Sequence, residues 1–327
     1  TPWEPDPMTA TKPAEQLRSL SGIKPTGQPH WGNYFGMIQP AIQLAADADA
    51  YYFIADYHAL TTVRDPAALR ADSYEIAATM IASGLDPAKS VLWRQSDVPE
   101  VCELTWMLSC VTGMGLVERA HAFKDARAKE RDPNFGLVTY PVLMAADILA
   151  YDATTVPVGD DQVQHVEVCR DLAGTFNHLY GEVFTLPKAR VLETAARVPG
   201  TDGQKMSKSY DNTIQVFEEP AKVKKKIMRI TTDSRPMEDP KDPETDHLFE
   251  LYRLMASPED TAAMAETYRR GGFGYGEIKK ALHAAAEQFF ADARGRRAEL
   301  AADPATIAGI LDDGAARARE QAQQVLD

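Results

Sequence analysis

Two stretches, far apart in the chain, hold residue types suited to handling phosphate. The first runs from Ser21 to Gly36 and contains Gly22, Lys24, Pro25, Thr26, Gly27, Pro29, His30, Gly32 and Asn33. Gly22 and Gly27 suit a backbone that turns sharply or approaches something closely. Pro25 and Pro29 stiffen the same loop by fixing φ. From Asn33 onward Met37, Ile38, Ala41, Leu44 and Ala45 recur at three and four, so a helix is expected to start here. A helix N-terminus offers free N–H groups and the positive end of its dipole, and phosphate is its usual guest. His30 and Asn33 stand at that point as donors that can stay neutral, suited to holding a polyphosphate as its charge shifts. The second stretch is Lys205-Met206-Ser207-Lys208-Ser209, preceded by Gly203 and followed by Tyr210, Asp211 and Asn212, and it reads as a mobile loop. Its lysines can reach a triphosphate as point charges.

The elements that must position these residues alternate along the chain. After the first strand, loop and helix, Tyr51 to Asp56 is an aromatic-rich apolar run that reads as a buried parallel strand. His58 lies just past its carboxyl end, where open α/β sheets place ligands. A helix from Pro66 to Ser83, stopped by Gly84, leads to a strand at Val91 to Gln95. This order predicts a doubly wound, Rossmann-type α/β sheet.

Between Pro99 and Lys124 the period is helical again, through Val101, Leu104 and Leu108. Trp106, Met107 and Met114 make this stretch too apolar for a solvated helix pair. Such an insertion, at about 99–125, suits packing on another subunit, although core packing would use the same residues. Ala126 to Pro133 reads as a surface loop, with Lys124 before it able to face phosphates. A helix is expected to begin after Pro141, and on it Met144 and Asp147 share a face. Asp147 stands among Met, Ala, Ile and Leu, and a carboxylate buried there needs a donor. Thr154 to Val158 is β-rich and leads through Gly159 to a helix from Val163 to Tyr180. Asp161 and Gln162 fall at that helix N-terminus, within reach of a ribose hydroxyl or an α-amino group; capping alone would also explain one acid there. From about residue 216 the chain reads as entirely helical, beginning with a short helix that carries Lys222, Lys224, Lys225, Lys226 and Arg229. Either a solvated helix face or contact with RNA phosphates accounts for that cluster.

Composition narrows the classes. The chain has 327 residues, 44% hydrophobic and 25% charged, enough for a full core and about two domains. Mean hydropathy is −0.33, and no apolar run approaches the length of a membrane span. Residues 1–16 lack a basic and an apolar region of the kind that marks a signal peptide and read as a loose extension. Cys102, Cys110 and Cys169 are too scattered for a disulfide framework or a zinc site; they are expected to be buried apolar residues in a reducing compartment. A net charge of −13 argues against general affinity for nucleic acid, while leaving room for one local basic surface.

His30-Trp31-Gly32-Asn33 is similar to the HIGH signature of class I aminoacyl-tRNA synthetases in its HxGN form, and Lys205 to Ser209 matches their KMSKS signature letter for letter. The resemblance extends from about Leu17 to the end of the chain. It is narrowest to the bacterial tryptophanyl-tRNA synthetase family, through Ser21–Gly36, Tyr140–Leu149, Val156–His165 and Lys226–Ser234. It implies a Rossmann-type catalytic domain over 17–215 and a helical anticodon-binding domain over 216–327. It implies a cytoplasmic homodimer that activates tryptophan with ATP-Mg²⁺, releasing pyrophosphate, and then passes tryptophan from the adenylate to tRNA(Trp).

The resemblance also assigns residues. Lys205 and Lys208 would stabilise the leaving pyrophosphate, with His30 and Asn33 on the phosphates from the other side. Lys24, Thr26, Gly27, Gly32, Lys124, Gly159, Asp161, Gln162, Met206, Ser207 and Ser209 would complete the ATP site. Asp147 would accept the indole N–H, with Met144, Val156 and Val158 flanking the ring. Tyr140 and Gln162 would hold the α-amino group, and Leu20, Gly22, Lys24 and His58 would line the rest. Mg²⁺ would ride on the ATP phosphates, with no metal cage of protein ligands alone. The sequence departs from the family pattern at Lys24, where the commonest bacterial form has Gln, and at Leu20, where an aromatic is usual. Both suggest a divergent or second copy with altered affinity for tryptophan analogues. The rival readings are a tyrosyl-tRNA synthetase, an RNA-binding paralogue without ligase activity, and a generic nucleotidyltransferase of the same fold.

Overall fold

The computed structural model describes residues 17–46, 48–118, 134–159, 162–191 and 198–327. Lys124, Asp161, the extension 1–16 and the loop 126–133 lie outside them. Among the described residues five strands form one parallel sheet: β1 (Arg18–Ile23), β2 (Asp49–Ile54), β3 (Ser90–Arg94), β4 (Thr155–Val158) and β5 (Lys188–Val191), in the order β3-β2-β1-β4-β5. β1 pairs with β2 in a register that sets Leu20 beside Tyr51 and Gly22 beside Phe53, and with β4 through Ser19 and Thr155. The strand order reverses between β1 and β4, and the crevice beyond the carboxyl ends there is where such sheets take ligands.

Both faces of the sheet are covered, which is why β2 and β3 read as continuous apolar runs. Ala50, Tyr52, Ile54 and Leu92 enter one core, and Tyr51, Phe53, Val91 and Trp93 enter the other. The period of two in Cβ direction divides each strand between them. Helix α1 is built from consecutive segments Trp31–Asn33, Tyr34–Ile38 and Gln39–Leu44, the middle one π-wound. It starts two residues before the expected Asn33, because His30 is its cap. The short α2 (Asp56–Ala59) follows β2, and α3 (Pro66–Ala82) ends before Gly84, which has φ +110°. Next come α4 (Glu100–Val111) and α5 (Met114–Glu118).

Two expectations are corrected here. Helix α6 (Phe135–Leu149) does not wait for Pro141 but contains it, capped upstream by Asn134 Oδ1 accepting the Leu137 N–H at 3.0 Å. An interior proline costs a helix ~3 kcal/mol, and burial of Val142, Ala145, Ala146, Ile148 and Leu149 outweighs that. The cysteines are not all buried: Cys169 is, but Cys102 and Cys110 are exposed. They stand four residues either side of Trp106 on the outer face of α4, while Val101, Leu104 and Leu108 take the inner one.

Helix α7 (Val163–Tyr180) links β4 to β5, and the described chain beyond β5 holds no further named strand. Its helices are α8 (Pro220–Met228), α9 (His247–Arg253), α10 (Pro258–Arg270), α11 (Tyr275–Phe289), α12 (Ala291–Ala302) and α13 (Pro304–Leu326). These helices join the sheet's own cores. Phe290 stacks on Trp31 at a centroid distance of 6.3 Å. Along α13, Ile307 and Leu311 enter the first core and Ala315, Ala318 and Ala322 the second. The helix therefore crosses the β3 edge of the sheet, at Gly314.

Candidate active site

A cavity of about 540 Å³ opens at the carboxyl ends of β1 and β4. Leu20, Gly22, Lys24, His58, Tyr140, Met144, Asp147, Val156, Val158 and Gln162 all line it, so the residues expected around the amino acid are brought together. Phe53, Thr61 and His165 line it too, and sequence reasoning had not singled them out. Gly22 is a matter of packing: a Cβ there would lie 2.4 Å from the Phe53 ring.

Asp147 is 1% exposed, and its donors come from two elements. Gln95 Nε2 donates to Oδ1 and Oδ2, both at 2.8 Å, and His58 Nε2 donates to Oδ2 at 2.8 Å. Burial pushes the Asp147 carboxyl up, against the pull of the His58 and Gln95 hydrogen bonds. Gln95 was missed as a site residue. Its signal was present in the sequence, a lone amide ending an apolar strand. β3 stops at Arg94, and the turn Gln95–Asp97 swings that amide inward.

The two phosphate-type stretches meet beside this cavity. The Trp31 N–H donates to Ile214 O at 2.9 Å and the Val216 N–H to Pro29 O at 3.0 Å, so the chain beyond the lysine loop is stitched to the start of α1. The Gly32 N–H donates to Met206 Sδ at 3.3 Å, and Met206 is 4% exposed. Lys208 Nζ donates to Thr26 O at 2.6 Å, over Gly27, whose φ is +90°. Burial lowers the Lys208 ammonium, against the pull of Asp72. Lys205, Ser207, Lys208 and Ser209 are accessible beside the anchored Met206.

The loop is held rather than free. Buried Asn212 accepts the Ser207 N–H at 2.8 Å and donates to Asp202 Oδ1 at 2.8 Å and Lys205 O at 3.1 Å. A further expectation is corrected at the start of α1: its N–H groups are not open to a guest. Trp31 and Gly32 donate as above, and Asn33 donates to His30 Nδ1 at 3.3 Å. The chain uses all three on itself, one of them on Met206 of the second motif and one on Ile214 just beyond it. His30 closes a capping box, its N–H donating to Asn33 Oδ1 at 3.1 Å. With Nδ1 accepting, the neutral ring carries its proton on Nε2. Burial, and secondarily the Lys208 ammonium, push His30 down to about 4, so it is a neutral donor near pH 7. Lys24, lowered by burial, donates to Thr61 Oγ1 at 3.2 Å and lies two residues from Thr26, joining the cavity to the lysine loop. Gly159 lines the cavity mouth with Gln162. Among the described residues no cluster of His, Cys, Asp and Glu could hold a metal ion, and no helix is long and apolar enough to cross a membrane.

The family model for class I tRNA synthetases of the W and Y group matches residues 12–291. The tryptophan–tRNA ligase of Rhodopirellula baltica is 61% identical over 311 residues, covering 95% of this chain and 97% of that protein. The crystal structure of tryptophanyl-tRNA synthetase from Campylobacter jejuni, complexed with ADP and tryptophan, superposes with a TM-score of 0.88 at 47% identity, covering 95% of this chain and 97% of that one. A tyrosyl-tRNA synthetase from Archaeoglobus fulgidus shares the fold, with a TM-score of 0.66 at 20% identity over 86% of this chain and 90% of its own.

Proposed function

We infer that this chain, which belongs to the class I tRNA synthetases of the tryptophan and tyrosine group, is a ligase that joins tryptophan to tRNA at the cost of ATP. The observation that carries the substrate is the fully buried Asp147 carboxylate in a cavity that is also lined by Leu20, Phe53, Met144, Ile148 and Val156. His58 and Gln95 already donate to it, and an amino acid with an N–H at that depth supplies the further donor the carboxylate can accept. A site built around a buried hydrogen bond rejects analogues lacking the group by ~10⁴–10⁵, which disfavours phenylalanine outright. Tyrosine brings its hydroxyl to a different place.

In this reading the tryptophan carboxylate attacks the α-phosphorus of ATP, taken as its magnesium complex, and the bond to the β-phosphate oxygen breaks. Pyrophosphate leaves and tryptophanyl-adenylate remains. The tRNA terminal hydroxyl then attacks the acyl carbon and AMP leaves. The enzyme's contribution is position and charge. Lys205 and Lys208 neutralise the departing pyrophosphate, His30 donates from Nε2, and Asn33 donates its side-chain N–H. Met206 seats the lysine loop against Gly32, so both motifs act on one polyphosphate. Tyr140 and Gln162 receive the α-amino group, and Met144, Val156 and Val158 sandwich the indole. Gly159, with Asp161 and Lys124 outside the described residues, completes the nucleotide site.

The same reading takes 216–327 as the anticodon-binding helices and α8 as one tRNA contact. Lys222, Lys224, Lys225 and Arg229 are exposed there, while Lys226 turns inward to Glu218 Oε2 at 2.9 Å. Trp106 and Met114, 73% and 64% exposed, suit a homodimer contact, and a cytoplasmic location fits a partner that is tRNA. ATP–pyrophosphate exchange with tryptophan, tyrosine and phenylalanine, on wild type and Asp147→Ala, tests the whole. Exchange with tryptophan alone, lost or relaxed in the variant, is expected. Exchange driven by tyrosine would overturn the substrate, and no exchange at all would favour the RNA-binding paralogue.

A further inference from the structure

Gln95 is 0% exposed and does not itself line the cavity, standing behind His58 and Asp147, which do. Its amide has only one workable orientation. Oε1 accepts the Tyr57 N–H at 3.1 Å and the His58 N–H at 3.4 Å. Reversing the amide would set its NH₂ against those donors, so Nε2 must face Asp147. The backbone beside it is clasped as well: Asp56 Oδ1 accepts the Ser96 N–H at 2.9 Å and the Tyr57 N–H at 3.0 Å, and Asp56 Oδ2 accepts the Ser96 hydroxyl. The turn after β2 and the turn after β3 thus hold Gln95 as a fixed bracket.

The acceptor count at Asp147 is uneven. Among the described residues Oδ2 accepts from both His58 Nε2 and Gln95 Nε2, while Oδ1 accepts from Gln95 alone. A carboxylate oxygen has room for two donors, so Oδ2 is full and Oδ1 has one direction left. His58 by itself grips only one oxygen, and the terminal torsion of an Asp is broad. The bond to Oδ1 is what stops the carboxylate from rotating.

We propose that Gln95 is a positioning residue for tryptophan selection, holding the Asp147 carboxylate in the one orientation that turns the open side of Oδ1 to the indole N–H. This rests on the reading of Asp147 as the indole acceptor. Gln95 acts through Asp147 and not on the substrate itself, so its loss is felt in recognition of the N–H and not in the handling of ATP.

The test compares Gln95→Met, which keeps the volume and loses the donor, with wild type in ATP–pyrophosphate exchange. The substrates are tryptophan and its analogue with sulfur in place of the indole N–H. Leaving a buried carboxylate without this partner should raise KM for tryptophan about tenfold to a hundredfold, with KM for ATP unchanged. The preference for tryptophan over the sulfur analogue should fall by the same factor. Gln95→Leu decides the matter where Gln95→Met folds poorly. It likewise presents no donor to Asp147, and it should show the same loss of preference. Equal losses for tryptophan and the analogue, or an unchanged preference, would overturn the proposal. Asp147→Ala is run beside them. If it keeps the preference, the reading of Asp147 falls; if it loses the preference while both Gln95 variants keep it, only the role of Gln95 falls.

Discussion

Replacing Gly32 by Ala tests whether the two phosphate-handling motifs work as one packed unit. A Cβ built at Gly32 lies 2.9 Å from both Nδ1 and Cε1 of the His30 ring and 3.2 Å from Met206 Cβ. Carbon contacts are comfortable near ~3.5 Å, so ring and loop must retreat by about half an ångström on opposite sides. Neither can do so freely. His30 is 6% exposed and caps the helix through Nδ1, while Met206 is 4% exposed and accepts the Gly32 N–H. Loss of a cap costs ~1 kcal/mol, and crowding a packed site ~1–3 kcal/mol. Much of that falls on the geometry that meets ATP, because Met206 seats Lys205 and Lys208. The expected result is a fall of about tenfold to a hundredfold in kcat/KM for ATP, at 1.4 kcal/mol per tenfold. KM for tryptophan should hardly move, because Gly32 does not line the cavity. ATP–pyrophosphate exchange, with each substrate varied at saturation of the other, measures both. Unchanged ATP kinetics, or equal losses for both substrates, would refute the reasoning.

Gly314→Ala puts a Cβ 2.0 Å from Leu92 O, and backbone on a sheet edge cannot yield as a side chain can; stability should drop by about 3 kcal/mol or more, seen as a lower urea midpoint, and an unchanged midpoint would mean that α13 does not lie against β3. Lys24→Gln removes the amine that reaches Thr61 Oγ1 and should change inhibition by indole analogues of tryptophan severalfold, while identical inhibition constants would remove the basis for a divergent pocket. His30 titrates near 4 when folded against 6.5 for the free side chain, so the unfolded chain binds more protons between those values. Its contribution to stability is therefore complete above pH 6.5 and is lost as pH falls toward 4; an imidazole NMR titration with a midpoint near 6.5 would contradict the burial assigned to it. Replacing Lys224 and Lys225 together by Ala should weaken tRNA binding and flatten its salt dependence without touching pyrophosphate exchange, and an unaltered salt slope would leave α8 a solvated face.

Much of the site was legible because its residues stand in runs. His30, Gly32 and Asn33 lie within four positions, and Lys205 to Ser209 is contiguous, so local spacing alone exposes them. The strands were legible for a related reason, since a parallel strand buried on both faces is a continuous apolar run. Boundaries were less so. Pro141 looked like a helix start, but the cap was Asn134, and burial of the following turns overrode the lost donor. The cysteines looked buried because Cys usually is, yet the angular position of Cys102 and Cys110 on α4 turned them outward.

By itself, the sequence determined the element order, the two motifs that meet at the candidate site, and the buried carboxylate that demands a donor. Only the tertiary structure decided who the partners are. The donors to Asp147 are Gln95 and His58, 52 and 89 residues away, and the partner of the Gly32 N–H at the start of α1 is the chain's own Met206, 174 residues on. Along α13 it decided that the helical C-terminal residues enter the sheet's own cores. The physical reason is the same in each case. Periodicity and spacing report what one residue needs from its neighbours along the chain, whereas a hydrogen bond or a packed face is settled by which distant group reaches that place first with the right atom.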